Sequence, residues 1–259
     1  MNYEGIFRER GGAYHRAMSR WPDARADDFR IPLERVQLRA GETIVDVPAG
    51  GGYLRRYVPA GCRWFGHEPC GSFADAATAD ADLLPLPWPD HFADAAISIA
   101  GVHHFADKRP LFREVHRVLR AGGRFVLADV HRASPVARFL DDFVGAHNST
   151  GHDGDYLDDA TLDDLRHCGF DVVAAERTAY RWHFADRLQM GEFCRLLFDM
   201  HDVEPAFVAQ EIERRLGTVP DPRSAGSVGA DGDPVVIESA APNGVAMNWE
   251  LWVVRAVAR

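Results

Sequence analysis

Short apolar runs alternate with longer amphipathic stretches along this chain, the rhythm of strands laid between helices. Thr43 to Val47 and Arg63 to Glu68 read as buried strands, and Ala93 to Ala100 and Phe125 to Val130 as two more. Between the last two, Leu111, Val115, Val118 and Leu119 recur at helical spacing, which predicts a helix over 107–120 ended by Gly122-Gly123. Residues 3–20 read as a helix carrying Phe7, Tyr14 and Met18. Thr161 to Asp164 start another helix, with Leu162 and Leu165 inward, and Gly169-Phe170 leads into the next strand. Asn248 to Val257 holds Trp249, Trp252, Val253 and Val254 with no glycine or proline, and reads as an antiparallel terminal strand. The fold class this predicts is α/β.

Two stretches exceed what a bare sheet of this kind needs. Residues 131–160 carry Pro135, an apolar helix around Phe139 and a polar loop. Residues 185–217 predict two helices: Met190, Phe193, Leu197 and Met200 line one face, and Val208, Ile212 and Leu216 another, with Pro205 in a first turn. Insertions this late in the chain, above the carboxyl ends of the strands, would cover a ligand crevice. Packing on an outer edge or in a dimer is the competing reading. The expected organisation is one domain over 1–259, with an N-terminal helical lid at 1–40 and cap insertions at 131–160 and 185–245.

Chemistry concentrates in Ile44-Val45-Asp46-Val47-Pro48-Ala49-Gly50-Gly51-Gly52 and Gly66-His67-Glu68. Each is a strand ending in an acid, and the first continues into a glycine loop. Gly50 and Gly52 let backbone approach a ligand and adopt positive φ. A carboxylate such as Glu68 at a strand tip can accept both hydroxyls of a ribose, so an adenosine-containing cofactor is expected. A dinucleotide fingerprint starting at Gly50 would need a third glycine where Arg55 stands, and a phosphate loop would need a lysine that is missing.

The pattern Asp46-x-x-x-Gly50-x-Gly52 resembles motif I of the class I S-adenosylmethionine-dependent methyltransferases of small-molecule type, with Pro48 where that family usually has glycine. Four further segments resemble the family in the right order: Gly66-His67-Glu68, Asp80-Ala81-Asp82-Leu83-Leu84-Pro85-Leu86, Phe92-Ala93-Asp94-Ala95-Ala96-Ile97-Ser98, and Arg113 to Arg124 with Ala121 in place of a proline. The resemblance implies a doubly wound, mostly parallel, Rossmann-like sheet of about seven strands, with a helical cap. It implies S-adenosylmethionine as cofactor, with Asp46 and the backbone of Ala49, Gly50 and Gly52 facing its methionine part. Glu68 would then bind the ribose, Asp80 and Ala81 the adenine edge, and Ala100 would lie at the end of the fourth strand beside the cofactor. Tyr14 either reaches the methionine carboxylate or simply packs its helix on the sheet. The stretch between Glu68 and Asp80 is short for the family, predicting an irregular helix and a weak third strand.

Methyl transfer to a hydroxyl or amine needs a base, and histidine is the natural one near neutral pH. His103 and His104 follow the fourth strand, where the family faces its acceptor, and are the candidate catalytic residues. His152 and Tyr156 in a polar loop, and Trp182 and His183 in the cluster Tyr180 to Phe184, are candidate acceptor contacts. No metal is expected: metal-dependent relatives place a carboxylate just after the fourth strand, where this chain has Gly101-Val102-His103.

Composition narrows the partners. The formal charge of -10 over 259 residues argues against nucleic acid, whose phosphates need cations. No run of eighteen apolar residues suggests a membrane span, and a cytoplasmic monomer or homodimer is expected. The four cysteines show no ligand spacing. Methyl transfer to a small-molecule oxygen, nitrogen or carbon nucleophile is thus the expected function. A cyclase or lyase, or a non-catalytic protein on the same scaffold, is the alternative.

Overall fold

In a computed structural model of the chain, residues 3–73, 82–221, 223 and 244–259 are described. A seven-stranded sheet runs β2-β1-β3-β4-β7-β5, where β1 is Thr43–Asp46, β2 Arg63–Gly66, β3 Ala93–Ile99, β4 Leu119–Asp129, β5 Phe170–Phe184 and β7 Val245–Ala258. The seventh strand, β6 (Thr218–Pro220), pairs with β7 off this path. β1 pairs in parallel with β2 and β3, and β3 with β4. β7 is antiparallel to β4 and β5, as its β-branched and aromatic run predicts. The mostly parallel α/β class and the antiparallel terminal strand therefore hold.

Alternation along the strands divides two cores between the sheet faces. Ile44, Ala95, Ile97, Val126 and Ala128 face one side, and Val45, Ala96, Phe125 and Leu127 the other. The first side is covered by α1 (Tyr3–Arg20), α2 (Ala26–Val36), the helical run from α4 (Pro135–Arg138) through a π turn at Phe139–Val144 to α5 (Gly145–His147), and α7 and α8 (Arg187–Leu197 and Pro205–Arg215). The second side is covered by α3 (Arg109–Val118) and α6 (Asp159–His167). The predicted inward residues Met190, Phe193, Leu197, Met200, Val208 and Ile212 are all buried. Asp158 caps α6 in a reciprocal box with Thr161.

Two boundaries differ from the sequence reading. α3 ends at Val118, and Gly122-Gly123 lies inside β4, whose register with β3 shifts between Ala93 and Ala95. Leu119 already pairs with Ala93, so the strand claims residues that the helical period also fits. Among the described residues no strand lies between Gly66 and Ala93; a short 3-10 turn at Gly71–Phe73 stands there, and the count of seven is completed by β6. No helix among the described residues is long and apolar enough to cross a membrane.

Candidate active site

β1, β3 and β4 end side by side, at Asp46, Ile99 and Asp129, and two cavities open above these carboxyl ends. They share Phe7, Tyr14, Arg25 and Ala100 as walls. Ala100 takes φ +49, rare outside glycine, and its N–H is held by the Ala128 carbonyl at 2.8 Å. A Cβ on the next residue, Gly101, would sit 2.7 Å from Pro48 Cγ, so the two loops touch beneath the cavities.

The first cavity is lined by Asp46, Ala49, Gly50, Tyr14, Tyr3 and Phe73 among others. Gly50 has φ +53, and a Cβ there would find only Phe73 at 3.9 Å, which leaves the backbone open to a ligand. Burial pushes the Asp46 carboxyl up to about 8, against the pull of the Trp64 indole N–H that donates to it at 3.3 Å. Glu68 stands behind Gly50 and accepts from the Gly50 N–H at 2.8 Å, the Cys70 N–H at 3.0 Å and the Tyr3 hydroxyl at 2.8 Å. Burial raises its pKa, and those donors oppose the rise.

The second cavity brings His103, His104 and His152 together with Arg10, Trp182, Leu140, Phe198 and Trp249. His103 Nδ1 lies 2.6 Å from Asp129 Oδ1, and Asp129 also accepts the Val102, His103 and Val130 amides. Burial alone would raise Asp129; its contact with His103 and these donors outweigh it and hold the carboxyl below its usual range. His104 is pushed well below the ordinary histidine value by burial and by His103, His152 and Arg10, and is neutral near pH 7. His152, lowered by burial against an opposing Asp141 hydrogen bond, has its Nδ1 3.1 Å from Asp141 Oδ1.

Several candidates sit elsewhere. Gly52 (φ +71) turns away from the first cavity, with Trp64 where its Cβ would go. Tyr156 lines neither cavity: its hydroxyl donates to Asp141 at 2.5 Å and its ring stacks on His103 and His152, so it supports the histidines. His183 faces away from Trp182 because successive strand residues point to opposite faces; its Nδ1 lies 3.0 Å from Asp221. Tyr14 stays in the walls of both cavities, where its hydroxyl accepts from Arg25 at 2.5 Å. Asp80 and Ala81 lie outside the described residues.

The fold also changes the metal reading. His103, His104 and His152 each bring a ring nitrogen within 4.8 Å of the others, a grouping that distance in sequence concealed. The positive charge of Arg10 bears on both His104 and His152 and opposes a cation there. Arg10, Asp129 and Asp141 escaped the sequence reading. Phe7, Arg10 and Tyr14 do fall at i, i+3 and i+7 on one helix face, and Asp129 ends a strand as Asp46 does.

Residues 45–127 match a family model described as a methyltransferase domain. The uncharacterized methyltransferase YcgJ of Bacillus subtilis (strain 168) is 29% identical over 139 residues, 48% of this chain and 54% of that protein. The ubiquinone/menaquinone biosynthesis C-methyltransferase UbiE of Caulobacter vibrioides is 27% identical over 164 residues, 54% of this chain and 61% of its own length. The chain thus spans little more than half the length of these curated relatives. The crystal structure of the Bacillus YcgJ protein superposes with a TM-score of 0.58 at 14% identity, covering 90% of this chain and 99% of that one. The [4+2]-cyclase SpnF superposes at 0.51 and 19% identity, over 88% and 78%. A SAM-dependent methyltransferase of Thermotoga maritima superposes at 0.55 and 14% identity, over 98% of this chain and 99% of that one. At such identities the superpositions establish the fold. Residues 45–127 thus match a methyltransferase domain, and the chain shares the fold of the S-adenosylmethionine-dependent methyltransferases.

Proposed function

We propose that this protein methylates a small-molecule acceptor at oxygen, nitrogen or carbon, in a biosynthetic role. The observation that carries this reading is the junction at Ala100 of a cavity lined by the family's motif and a second cavity lined by histidines. The first fits the cofactor: Gly50 offers open backbone, and the Asp46 carboxyl lies in the wall for the cationic methionine end. Ala49 and Ala100 complete that wall, and Glu68, now satisfied by the Tyr3 hydroxyl, would take the ribose. Asp80 and Ala81, outside the described residues, would take the adenine edge as the resemblance implies. S-adenosylmethionine supplies an electrophilic methyl group.

The chain's own part is to position the acceptor, exclude water and accept a proton. Asp129 fixes the His103 ring through Nδ1, which leaves Nε2 to take the proton an acceptor hydroxyl or amine gives up. His104 beside it, with ring centroids 4.0 Å apart, is already neutral and is the second candidate base. His152 and Trp182 would contact the acceptor. The described parts of residues 1–40, 131–160 and 185–245 would form the cap that keeps solvent out. The enzyme would act as a cytoplasmic monomer or homodimer.

The fold shared with SpnF makes a cyclase on the same scaffold the second reading. Titration calorimetry with S-adenosylmethionine, S-adenosylhomocysteine and NAD, followed by a time course of S-adenosylhomocysteine release with phenolic and amine acceptors, separates them. Methyl transfer requires binding of the two sulfur compounds without NAD, and acceptor-dependent release. His103→Ala should then lower turnover roughly 100-fold with cofactor affinity kept. Product formed without S-adenosylhomocysteine would favour the cyclase.

A further inference from the structure

Arg10 is 4% exposed, and its Nε and Nη1 have no hydrogen-bond partner among the described residues. Its remaining nitrogen reaches the Phe198 carbonyl only at 3.5 Å. A buried guanidinium left this way is costly, since both its charge and its donors have lost water. Burial brings its pKa down to about 10, and the pull of Asp199 acts without an ion pair among the described residues. The neighbouring Arg25 differs: it is paired with Asp28 and bonded to Tyr14. The acceptor cavity thus contains one uncompensated positive charge, on Arg10, beside neutral His104. Away from the histidines, Arg25 and Tyr14, its walls are apolar and aromatic, with Trp182 and Trp249 stacked at 4.1 Å and Phe198, Leu140, Leu197 and Leu251 around them.

We propose that the acceptor is an organic acid, whose single carboxylate pairs with Arg10 while its aromatic or aliphatic body fills the Trp182–Trp249 end of the cavity. This rests on the methyltransferase reading above and names its substrate class. One carboxylate balances one free guanidinium, whereas a phosphate dianion would leave a buried negative charge. Pairing at Arg10 places the acid between the aromatic wall and the histidines, so a hydroxyl or amine elsewhere on the molecule can face His103 and the methyl donor at Ala100.

The test compares 4-hydroxybenzoate, 4-hydroxybenzamide and phenyl phosphate by calorimetry on the full chain saturated with S-adenosylhomocysteine. The acid should bind at least about tenfold tighter than the amide, the worth of one charge-assisted hydrogen bond. Arg10→Met should erase that preference while keeping S-adenosylhomocysteine affinity. Its melting temperature should not fall, because a buried unpaired charge is removed at similar side-chain length. Arg10→Lys should retain part of the preference and guards against a methionine variant that does not fold. Equal binding of acid and amide, no binding of either, or a preference surviving in Arg10→Met overturns the proposal. Tighter binding of phenyl phosphate than of the benzoate overturns the monocarboxylate. S-adenosylhomocysteine is titrated first: its failure to bind strikes the cofactor reading alone, and the acid and amide are then compared without it.

Discussion

Asp46 shows how one buried group couples ligand site to stability. Burial raises its carboxyl from the ordinary 3.8 to about 8, so the folded protein prefers it protonated. Stability from this source is complete below pH 4 or so and is lost as pH climbs through about 8. Calorimetric melting of the ligand-free protein at pH 5 and pH 8 should show a larger fall for wild type than for Asp46→Asn, which has nothing to ionise. Equal falls would mean that Asp46 stays ionised in the fold. On the proposed reading, a cationic cofactor beside Asp46 would favour the ionised form and offset this cost on binding.

Among the elements, the α7–α8 pair is set by a single small residue. A Cβ on Gly191 would lie 1.9 Å from the Pro205 carbonyl oxygen and 3.2 Å from the Ala209 nitrogen, both backbone atoms with no rotamer to yield. Gly191→Ala should therefore cost about 1–3 kcal/mol by urea unfolding, the usual penalty for overpacking. Gly12 in α1 is the control, since a Cβ there meets only the flexible Arg16 end at 3.6 Å; Gly12→Ala should be neutral or stabilising. Loss of stability in both variants would assign the effect to helix chemistry in general. The helical period marked the apolar faces of α7 and α8, but the crossing that uses Gly191 joins backbones, which leave no mark in a hydrophobic pattern.

At the scale of the molecule, the N-terminal helices and the late strands are joined by buried charge. Arg25 pairs with Asp28 at the start of α2, and Asp28 also accepts the Trp182 indole N–H from β5 at 2.7 Å. Both ionic groups are buried, Arg25 at 4% and Asp28 at 0% exposure. Asp28→Asn would keep an acceptor for Trp182 but leave Arg25 unpaired, and should destabilise the fold by about 3–5 kcal/mol in denaturant melts. A change within 1 kcal/mol or so would show that water reaches Arg25 and that the pair does not tie these elements together.

The sequence by itself determined most of the strands, the amphipathic helices and the resemblance to a methyltransferase domain, because each is written in neighbouring residues. Asp46, Ala49 and Gly50 in one wall and His103 and His104 in another follow from strand ends, where successive residues have fixed directions. What only the tertiary structure decided involves residues distant along the chain. His152 joins His103 and His104, Asp129 and Asp141 orient two of those rings, and Arg10 enters the same cavity from the first helix. Trp182 turns inward and His183 outward by strand alternation, which a cluster of aromatics cannot assign without the register. Local pattern fixes which element a residue belongs to and which way it repeats. The partners it meets, and whether its charge is answered, depend on where the other elements pack.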